Sequence, residues 1–300
     1  MTHNELLAYY TAPGVFTSVD GFESEIAAIP SDVRSITRAV QELLIHEALA
    51  PAYQVRLSPE RLAMKQLHSA AAMLACASDL GGPTNEERPA ENRVAVVCRH
   101  FATLFVAIMR HKGVPCRARC GFANYFQPGK HVDHWVGEYW HADERRWILV
   151  DAQVDSLQQA LFQPDFDTLD VPRDRFLVAG DAWHACRSGA DPMTFGVSGT
   201  EMWGLVEVMG DVMQDLAALQ NIELLPWGWY GLAEGATEAE TDAALVSELA
   251  GLSSSADAAA IDALRTMVAA DDRIRVPAER VAASLAADEA IVSKLLNSSS

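Results

Sequence analysis

Apolar residues recur every three or four positions through the first ninety residues, which is the spacing of amphipathic helices. The pattern is clearest in residues 35–49 (SITRAVQELLIHEAL) and 58–77 (SPERLAMKQLHSAAAMLACA). Ser58 followed by Pro59 is typical of an N-cap with proline at the first helical position. Residues 81–92 (GGPTNEERPAEN) are rich in loop-forming types and mark a boundary. We therefore predict a helical N-terminal region over residues 1–91.

The pattern changes after this boundary. Residues 101–109 (FATLFVAIM) are apolar on every side, which indicates a buried helix, and Gly113 and Pro115 follow as terminators. Three runs then alternate with period two and are rich in aromatic and β-branched residues: 116–126 (CRARCGFANYF), 134–140 (HWVGEYW) and 146–150 (RWILV). They predict an antiparallel meander. A buried helix packed on such a sheet is an α+β arrangement.

The remainder of the chain adds helices. Residues 202–219 (MWGLVEVMGDVMQDLAAL) predict one helix, and an Ala-, Asp- and Glu-rich tail begins near residue 232. We expect a catalytic core over residues 92–231, with the chemical motifs within 92–155. An acidic helical C-terminal region is expected over 232–300.

Charge narrows the classes of partner. The formal net charge is −18, which argues against a nucleic-acid ligand and against docking on an anionic membrane. The start of the sequence shows no signal-peptide pattern. Five cysteines are an odd and small number for a chain of this length, which argues against a disulfide framework. A reducing, cytoplasmic location is expected. Oligomeric state is left open by the sequence.

Cys98 stands where the buried helix begins. Free backbone N–H groups and the positive end of the helix dipole favour a thiolate there, and Arg99 and His100 add positive character. The sequence therefore predicts a thiol with a lowered pKa, suited to nucleophilic attack.

A nucleophilic cysteine needs a proton-transfer partner that a third group orients. His134 opens the second predicted strand and Asp151 closes the third, so antiparallel neighbours would place them together at one sheet edge. His131 and Asp155 are the alternatives for the two roles, and we rank both lower. The predicted catalytic residues are Cys98, His134 and Asp151.

The sequence around these residues resembles the transglutaminase-like superfamily, a branch of the papain-like fold. The resemblance covers about sixty residues, 92–151, and rests on matched positions in the family's order: Cys98, Arg110, Gly113, Val114, Pro115, His134, Trp135, Trp147 and Asp151. It implies a transglutaminase-like, papain-like core with a Cys-His-Asp triad. Val97 departs from the pattern, because many members carry glycine before the cysteine.

The resemblance and the triad together imply cysteine-dependent acyl transfer at an amide or thioester carbonyl of a peptide, amide or thioester substrate. Hydrolysis by a peptidase or amidase is slightly preferred. The alternatives are an amide-forming transferase with an amine acceptor and a non-catalytic binding module of the same fold. No cofactor is expected.

Several other residues carry weaker hypotheses. Trp135, Arg99 and Trp183 are candidate substrate contacts, the last in a predicted loop over residues 180–189 that could wall the cleft. Cys116 and Cys120 are expected to face the core, and no metal site is predicted because a second ligand pair at zinc-finger spacing is missing. Residues 92–151 carry a net charge of +4, and we expect these arginines to pair with the acidic flanking helices.

Overall fold

The protein is described here by a computed structural model, which covers residues 1–82, 87–237 and 242–298. The helices are α1 His3–Thr11, α2 Glu23–Ala28, α3 Val33–Leu43, α4 Pro59–Ala63, α5 Ala70–Asp79, α6 Cys98–His111, α7 Ser156–Phe162, α8 Ala179–Arg187, α9 Leu205–Leu219, α10 Ala243–Ser255, α11 Ala258–Ala270 and α12 Ala278–Ser298. The strands are β1 Leu44–His46, β2 Val94–Val96, β3 Cys116–Ala123, β4 His131–His141, β5 Arg146–Val150, β6 Phe176–Val178 and β7 Phe195–Gly196. The architecture is α+β, as predicted.

The N-terminal region is helical, but both long predicted helices are interrupted. The helix expected over 35–49 ends at Leu43, and the next three residues form β1, which pairs in parallel with β2. The helix expected over 58–77 divides into α4 and α5. Ser58 caps α4 as predicted, since its side chain accepts a hydrogen bond from Arg61 N. In the predicted loop over 81–92, residues 83–86 lie outside the described part of the chain.

The buried helix and the meander form as predicted. Helix α6 ends next to Gly113, whose φ of +78° suits only glycine without strain. The main sheet has the order β5-β4-β3-β6, and β7 pairs with β4. Strands β3, β4 and β5 are antiparallel neighbours. Strand β4 begins at His131, three residues earlier than the sequence suggested.

Two helices hold the meander from different sides. Helix α6 packs on β4 so closely that a Cβ at Gly137 would lie 2.4 Å from the Phe105 ring. Strand β6 pairs with β3 only at residues 121–123. Beyond this pairing, α9 covers β3, and Asp215 of α9 accepts the Cys120 N–H at 3.0 Å. A helix carboxylate thus replaces a strand partner at the sheet edge.

The three predicted regions share their packing. One apolar cluster joins α3, α5 and α6 to the sheet, and Ile291, Val292 and Leu295 of α12 pack against it. A second cluster joins α1 to α8, α9, α10 and α11. The C-terminal helices therefore contact both the N-terminal helices and the sheet layer.

The two arginines of β3 are buried and paired. Arg119 bonds Asp215 of α9 at 2.8 Å and Glu138 of β4 at 3.0 Å, and Arg117 bonds Glu138 at 2.6 Å. Arg93 pairs with Glu42 of α3 at 2.8 Å. The expected pairing of this positive segment with flanking acids is confirmed for Arg93 and Arg119, while Arg117 uses an acid within the sheet.

Candidate active site

Cys98 is the first residue of α6, and β2 leads directly into it through Val97. Val97 has φ −120°, an extended conformation that any residue adopts. The departure from glycine at this position therefore imposes no strain on the backbone. The Cys98 side chain is buried, with 7% of the residue exposed.

The surroundings of the thiol differ from the expectation. Burial raises the pKa of Cys98 well above its ordinary value, and the charge of Asp133 raises it further. The backbone N–H groups of Arg99 and Trp135 point at the sulfur and oppose this shift. The predicted lowering of the thiol pKa is thus wrong for the free protein, because burial and a carboxylate outweigh the helix N-terminus.

The two basic neighbours do not act on the sulfur as predicted. The Arg99 guanidinium turns away and donates to the carbonyl oxygens of His68 and Glu223. Burial lowers the pKa of His100 well below its ordinary value, and its Nε2 lies 2.7 Å from Leu67 O. Since the ring of His100 is neutral and Arg99 is engaged elsewhere, the Cys98 proton stays on sulfur until a base removes it.

His134 and Asp151 form a direct pair. His134 Nε2 lies 2.9 Å from Asp151 Oδ2, and both residues are buried. Asp151 follows Val150, which is paired with Gly137, so the antiparallel register brings the carboxylate back beside the histidine. Trp135, the residue after His134, directs its N–H at the Cys98 sulfur. The structure therefore pairs His134 directly with Asp151, and the charge of Asp151 also acts on the Cys98 thiol.

Two further residues hold Asp151. Tyr125 donates its hydroxyl to Asp151 Oδ2 at 2.7 Å, and Gln153 N donates to Asp151 Oδ1 at 3.0 Å. Burial alone would raise the pKa of Asp151, but the charge of His134 and these hydrogen bonds bring it below the ordinary value. Asp151 is consequently an ionised acceptor, and its hydrogen bond places a proton on His134 Nε2.

His46 is a second histidine that the sequence did not suggest. His46 is the last residue of β1 and pairs with Val96 of β2. Val96 lies two residues before Cys98 in the chain. Burial, and next the charge of His134, lower the pKa of His46 to about 4. Its Nδ1 accepts the Ala48 N–H at 3.2 Å, so Nε2 carries the proton. His46 reaches this position because β1 pairs in parallel with β2, which lies fifty residues later in the chain. The spacing of apolar residues does not predict such a distant pairing.

Aromatic rings enclose His134. The centroid of the Phe126 ring lies 4.8 Å from that of the imidazole, Tyr125 lies at 6.2 Å and Phe176 at 6.3 Å. Tyr125 and Phe126 follow the end of β3, which stops at Ala123 rather than continuing to residue 126 as predicted. The chain leaves the sheet there and folds these rings over the histidine.

The alternative candidates lie elsewhere. The ring of His131 stacks on Phe195, with centroids 4.3 Å apart. Asp155 caps α7 through Gln158 N and lies 3.6 Å from Arg93. Neither residue takes the place of His134 or Asp151.

Trp183 is not in a loop. The predicted loop over residues 180–189 is wrong, because most of it forms α8, where Trp183 is buried and donates its indole N–H to Ser247 at 2.9 Å. Gly180 permits contact with α10: a Cβ there would lie 2.3 Å from Ala250 O. The glycine signals close helix packing rather than a turn. Trp135 and Arg99 are also buried, and substrate contact by any of these three stays a prediction.

Cys116 and Cys120 are buried, as expected for core-facing residues. Cys120 lies near two carboxylates, Asp133 of β4 and Asp211 of α9. Within the described part of the chain, these three side chains form a group whose possible metal-ligating atoms lie within 4.8 Å of one another. Within the described residues, no helix is long and apolar enough to cross a membrane.

Comparison with known proteins supports this picture of the core. Residues 79–152, which contain all three predicted catalytic residues, match the family model described as "Transglutaminase-like superfamily". The resemblance found in the sequence is thereby confirmed for this segment, whose α+β arrangement agrees with the prediction. This agreement supports a cysteine-dependent enzyme in general terms.

No curated protein matches the chain. Among solved structures, a match is the crystal structure of a "Putative Cysteine Protease from Cytophaga hutchinsonii", with 19% identity and a TM-score of 0.34. The alignment covers 61% of this chain and 50% of that one. The chain thus spans about half the length of that structure.

Proposed function

We propose that the protein catalyses cysteine-dependent acyl transfer at an amide or thioester carbonyl, with Cys98, His134 and Asp151 as the triad. The hydrogen bond of 2.9 Å between His134 Nε2 and Asp151 Oδ2 is the observation that carries the proposal. It orients the imidazole in a strand whose next N–H points at the Cys98 sulfur.

The reaction begins with transfer of the thiol proton to His134 Nδ1. The Cys98 sulfur then forms a bond to the carbonyl carbon, and the oxyanion is held by the backbone N–H of Cys98 at the start of α6. His134 returns the proton to the departing amine or thiol as the carbonyl re-forms, which leaves a thioester on Cys98. In the second half, His134 deprotonates the acceptor as the acceptor bonds to the carbonyl carbon. The carbon–sulfur bond then breaks, and His134 returns the proton to the Cys98 sulfur. Asp151 stays ionised throughout.

Water is our preferred acceptor, which makes the protein a peptidase or amidase. One observation favours an amine acceptor as the second candidate: aromatic rings cover His134, and the residue is only 2% exposed. A site that excludes water protects a thioester from hydrolysis. The triad performs both reactions.

We also propose a cytoplasmic location, a division of the chain into three regions, and the absence of nucleic-acid and membrane partners. Five free cysteines suit a reducing cytoplasm. Residues 92–231 form the catalytic unit, and helical regions 1–91 and 232–300 pack on it. The net charge of −18 suits neither a nucleic-acid nor a membrane partner.

The test is turnover of a panel of peptide amides and acyl thioesters, with hydroxylamine as a competing acceptor. We expect wild-type protein and Cys186→Ser to release product, and Cys98→Ala to release none. Hydroxamate formed in addition to acid indicates that amines are accepted; acid alone indicates hydrolysis. If Cys98→Ala retains the wild-type rate, the proposal fails. A folded wild-type protein that never forms a Cys98 thioester would instead indicate the binding module.

A further inference from the structure

A second cluster of reactive side chains lies next to the proposed nucleophile and takes no part in the triad. It consists of Cys120 of β3, Asp133 of β4 and Asp211 of α9, and we refer to it as the Cys120 cluster. The sulfur and one carboxylate oxygen of each acid all lie within 4.8 Å of one another. Separations of this size are those of atoms that can share one metal ion.

The fold assembles the cluster from three elements. Cys120 is paired with Trp135 across the β3–β4 register, and Asp133 lies two residues earlier on the same face of β4. Helix α9 is fixed against β3 by Asp215, which accepts the Cys120 N–H. Asp211 lies one helical turn before Asp215, so its carboxylate is directed at the Cys120 side chain. Glu207, one further turn away, acts electrostatically on Asp211.

One carboxylate oxygen of each acid in this cluster is not satisfied, while the Cys120 thiol is hydrogen-bonded to Asp211. Asp133 Oδ1 and Asp211 Oδ2 are buried without a hydrogen-bond partner among the described residues, and Asp211 is only 3% exposed. Arg119 is committed to Asp215 and Glu138. Native proteins pair nearly all buried polar groups, and a buried carboxylate without a cation is costly.

The acids of this region also act on one another. After burial, the charge of Asp133 is the next cause that raises the pKa of Glu207 and of Asp211. The cluster therefore gathers negative groups from β4 and α9 at one place.

We propose that Cys120, Asp133 and Asp211 bind a divalent metal ion of the zinc class. One thiolate and two carboxylates fit zinc, whose bonds are about 2.3 Å to sulfur and about 2.0–2.2 Å to oxygen, so modest contraction brings these ligands together. A sulfur ligand disfavours calcium and magnesium, which prefer oxygen donors alone. Binding forms one metal–sulfur and two metal–oxygen bonds, and any proton on the thiol or the carboxyls passes to solvent.

The site would also influence the proposed chemistry, although it stands independently of it. The charge of Asp133 opposes ionisation of Cys98, and a bound cation compensates that charge. The metal would thus ease proton transfer from Cys98 to His134 without touching the substrate.

The test measures metal binding directly and needs no substrate. The full-length protein is stripped with a chelator and titrated with Co²⁺, whose thiolate charge-transfer absorption reports a sulfur ligand, and with Zn²⁺ by calorimetry. We expect one ion per chain with a thiolate band. Cys120→Ser should lose the band, and Asp211→Asn should weaken binding by about 100-fold. The control Cys116→Ser, a buried thiol four residues earlier on the same strand, should bind as wild type.

Each variant is first shown to be folded by its thermal transition, and Asp211→Asn serves if Cys120→Ser does not fold. Absence of binding to folded wild-type protein would overturn the proposal. So would a thiolate band that survives Cys120→Ser or disappears in Cys98→Ala, because the ion would then sit on another thiol. Failure of the proposed catalysis is seen separately, as absence of a Cys98 thioester.

Discussion

The Asp151 carboxylate accepts three hydrogen bonds, and each partner constrains a different part of the site. His134 and Tyr125 share Oδ2, while the Gln153 N–H occupies Oδ1. The carboxylate therefore cannot rotate without breaking two or three bonds. This constraint, rather than proximity alone, fixes the orientation of the His134 ring.

Tyr125 is consequently a positioning residue, and Tyr125→Phe tests this role. Removing one hydrogen bond to a buried carboxylate costs about 1.5–3 kcal/mol, which corresponds to a fall of about 10- to 100-fold in kcat/KM. The change also raises the pKa of Asp151 toward its ordinary value. Because Asp151 must be ionised, the acid limb of the pH–rate profile moves to higher pH.

The matched control is Tyr139→Phe, on β4 and outside the triad, which should leave both kcat/KM and the pH–rate profile unchanged.

The pKa of Asp151 is lowered in the fold, so its ionisation stabilises the protein above about pH 4. That contribution is lost as the pH falls through the folded pKa, and less of it is present in Tyr125→Phe. An unaltered pH profile in Tyr125→Phe would contradict the assigned role.

At the level of helices and strands, the contact between α6 and β4 sets the position of Cys98, the proposed nucleophile. Gly137 lies against the Phe105 ring, with a would-be Cβ only 2.4 Å from it. Because α6 starts at Cys98, a helix displaced at Phe105 carries the sulfur away from the strand that bears His134.

We therefore predict that Gly137→Ala destabilises the fold by about 1–3 kcal/mol through overpacking and slows acylation of Cys98. Adding Phe105→Leu should restore much of both by making room. Gly251→Ala lies inside α10, where the new Cβ meets its nearest atom at 3.7 Å, and should stabilise the fold by about 0.5–1 kcal/mol without changing acylation. Urea denaturation and thioester formation are the measurements. Wild-type behaviour of Gly137→Ala would show that the contact does not set the site.

Some of the helices and strands can be predicted from the sequence, and others cannot. The helix at Cys98 and the three strands after it follow from local periodicity and terminators, and their register delivers His134 and Asp151. The two N-terminal helices are interrupted for non-local reasons. Residues 44–46 pair with β2 instead. Between α4 and α5, the Leu67 carbonyl contacts His100, and the N–H groups of His68 and Ser69 donate to Asp288. No periodicity records partners that are 33 to 220 residues distant.

On the scale of the whole molecule, the C-terminal helix α12 is tied to the layer that supports the nucleophile. Asp288 of α12 accepts the N–H groups of His68 and Ser69 at 2.6 and 2.9 Å, just before α5. Arg99 in turn donates to the His68 carbonyl. A connection thus runs from the C-terminal region to the residue that follows Cys98.

Asp288→Ala removes the acceptor for two backbone donors and should cost about 2 kcal/mol or more in the free energy of unfolding. The neighbouring exposed position provides the control, since Glu289→Ala should lie within about 0.5 kcal/mol of wild type. Chemical denaturation measures both. Equal stability of the two variants would show that α12 is not fastened at this point.

We propose that His134 removes the proton of the buried Cys98 thiol, and the alkylation rate of Cys98 measures this transfer. Because Cys186 is the one cysteine that is not buried, Cys186→Ser serves as the parent protein in these measurements. Iodoacetamide labelling of Cys98 at pH 7 is followed by peptide mass spectrometry. We expect that adding His134→Ala slows labelling by about 10²- to 10⁴-fold while the fold is retained. Equal labelling rates in the parent and in folded His134→Ala would show that His134 is not the base.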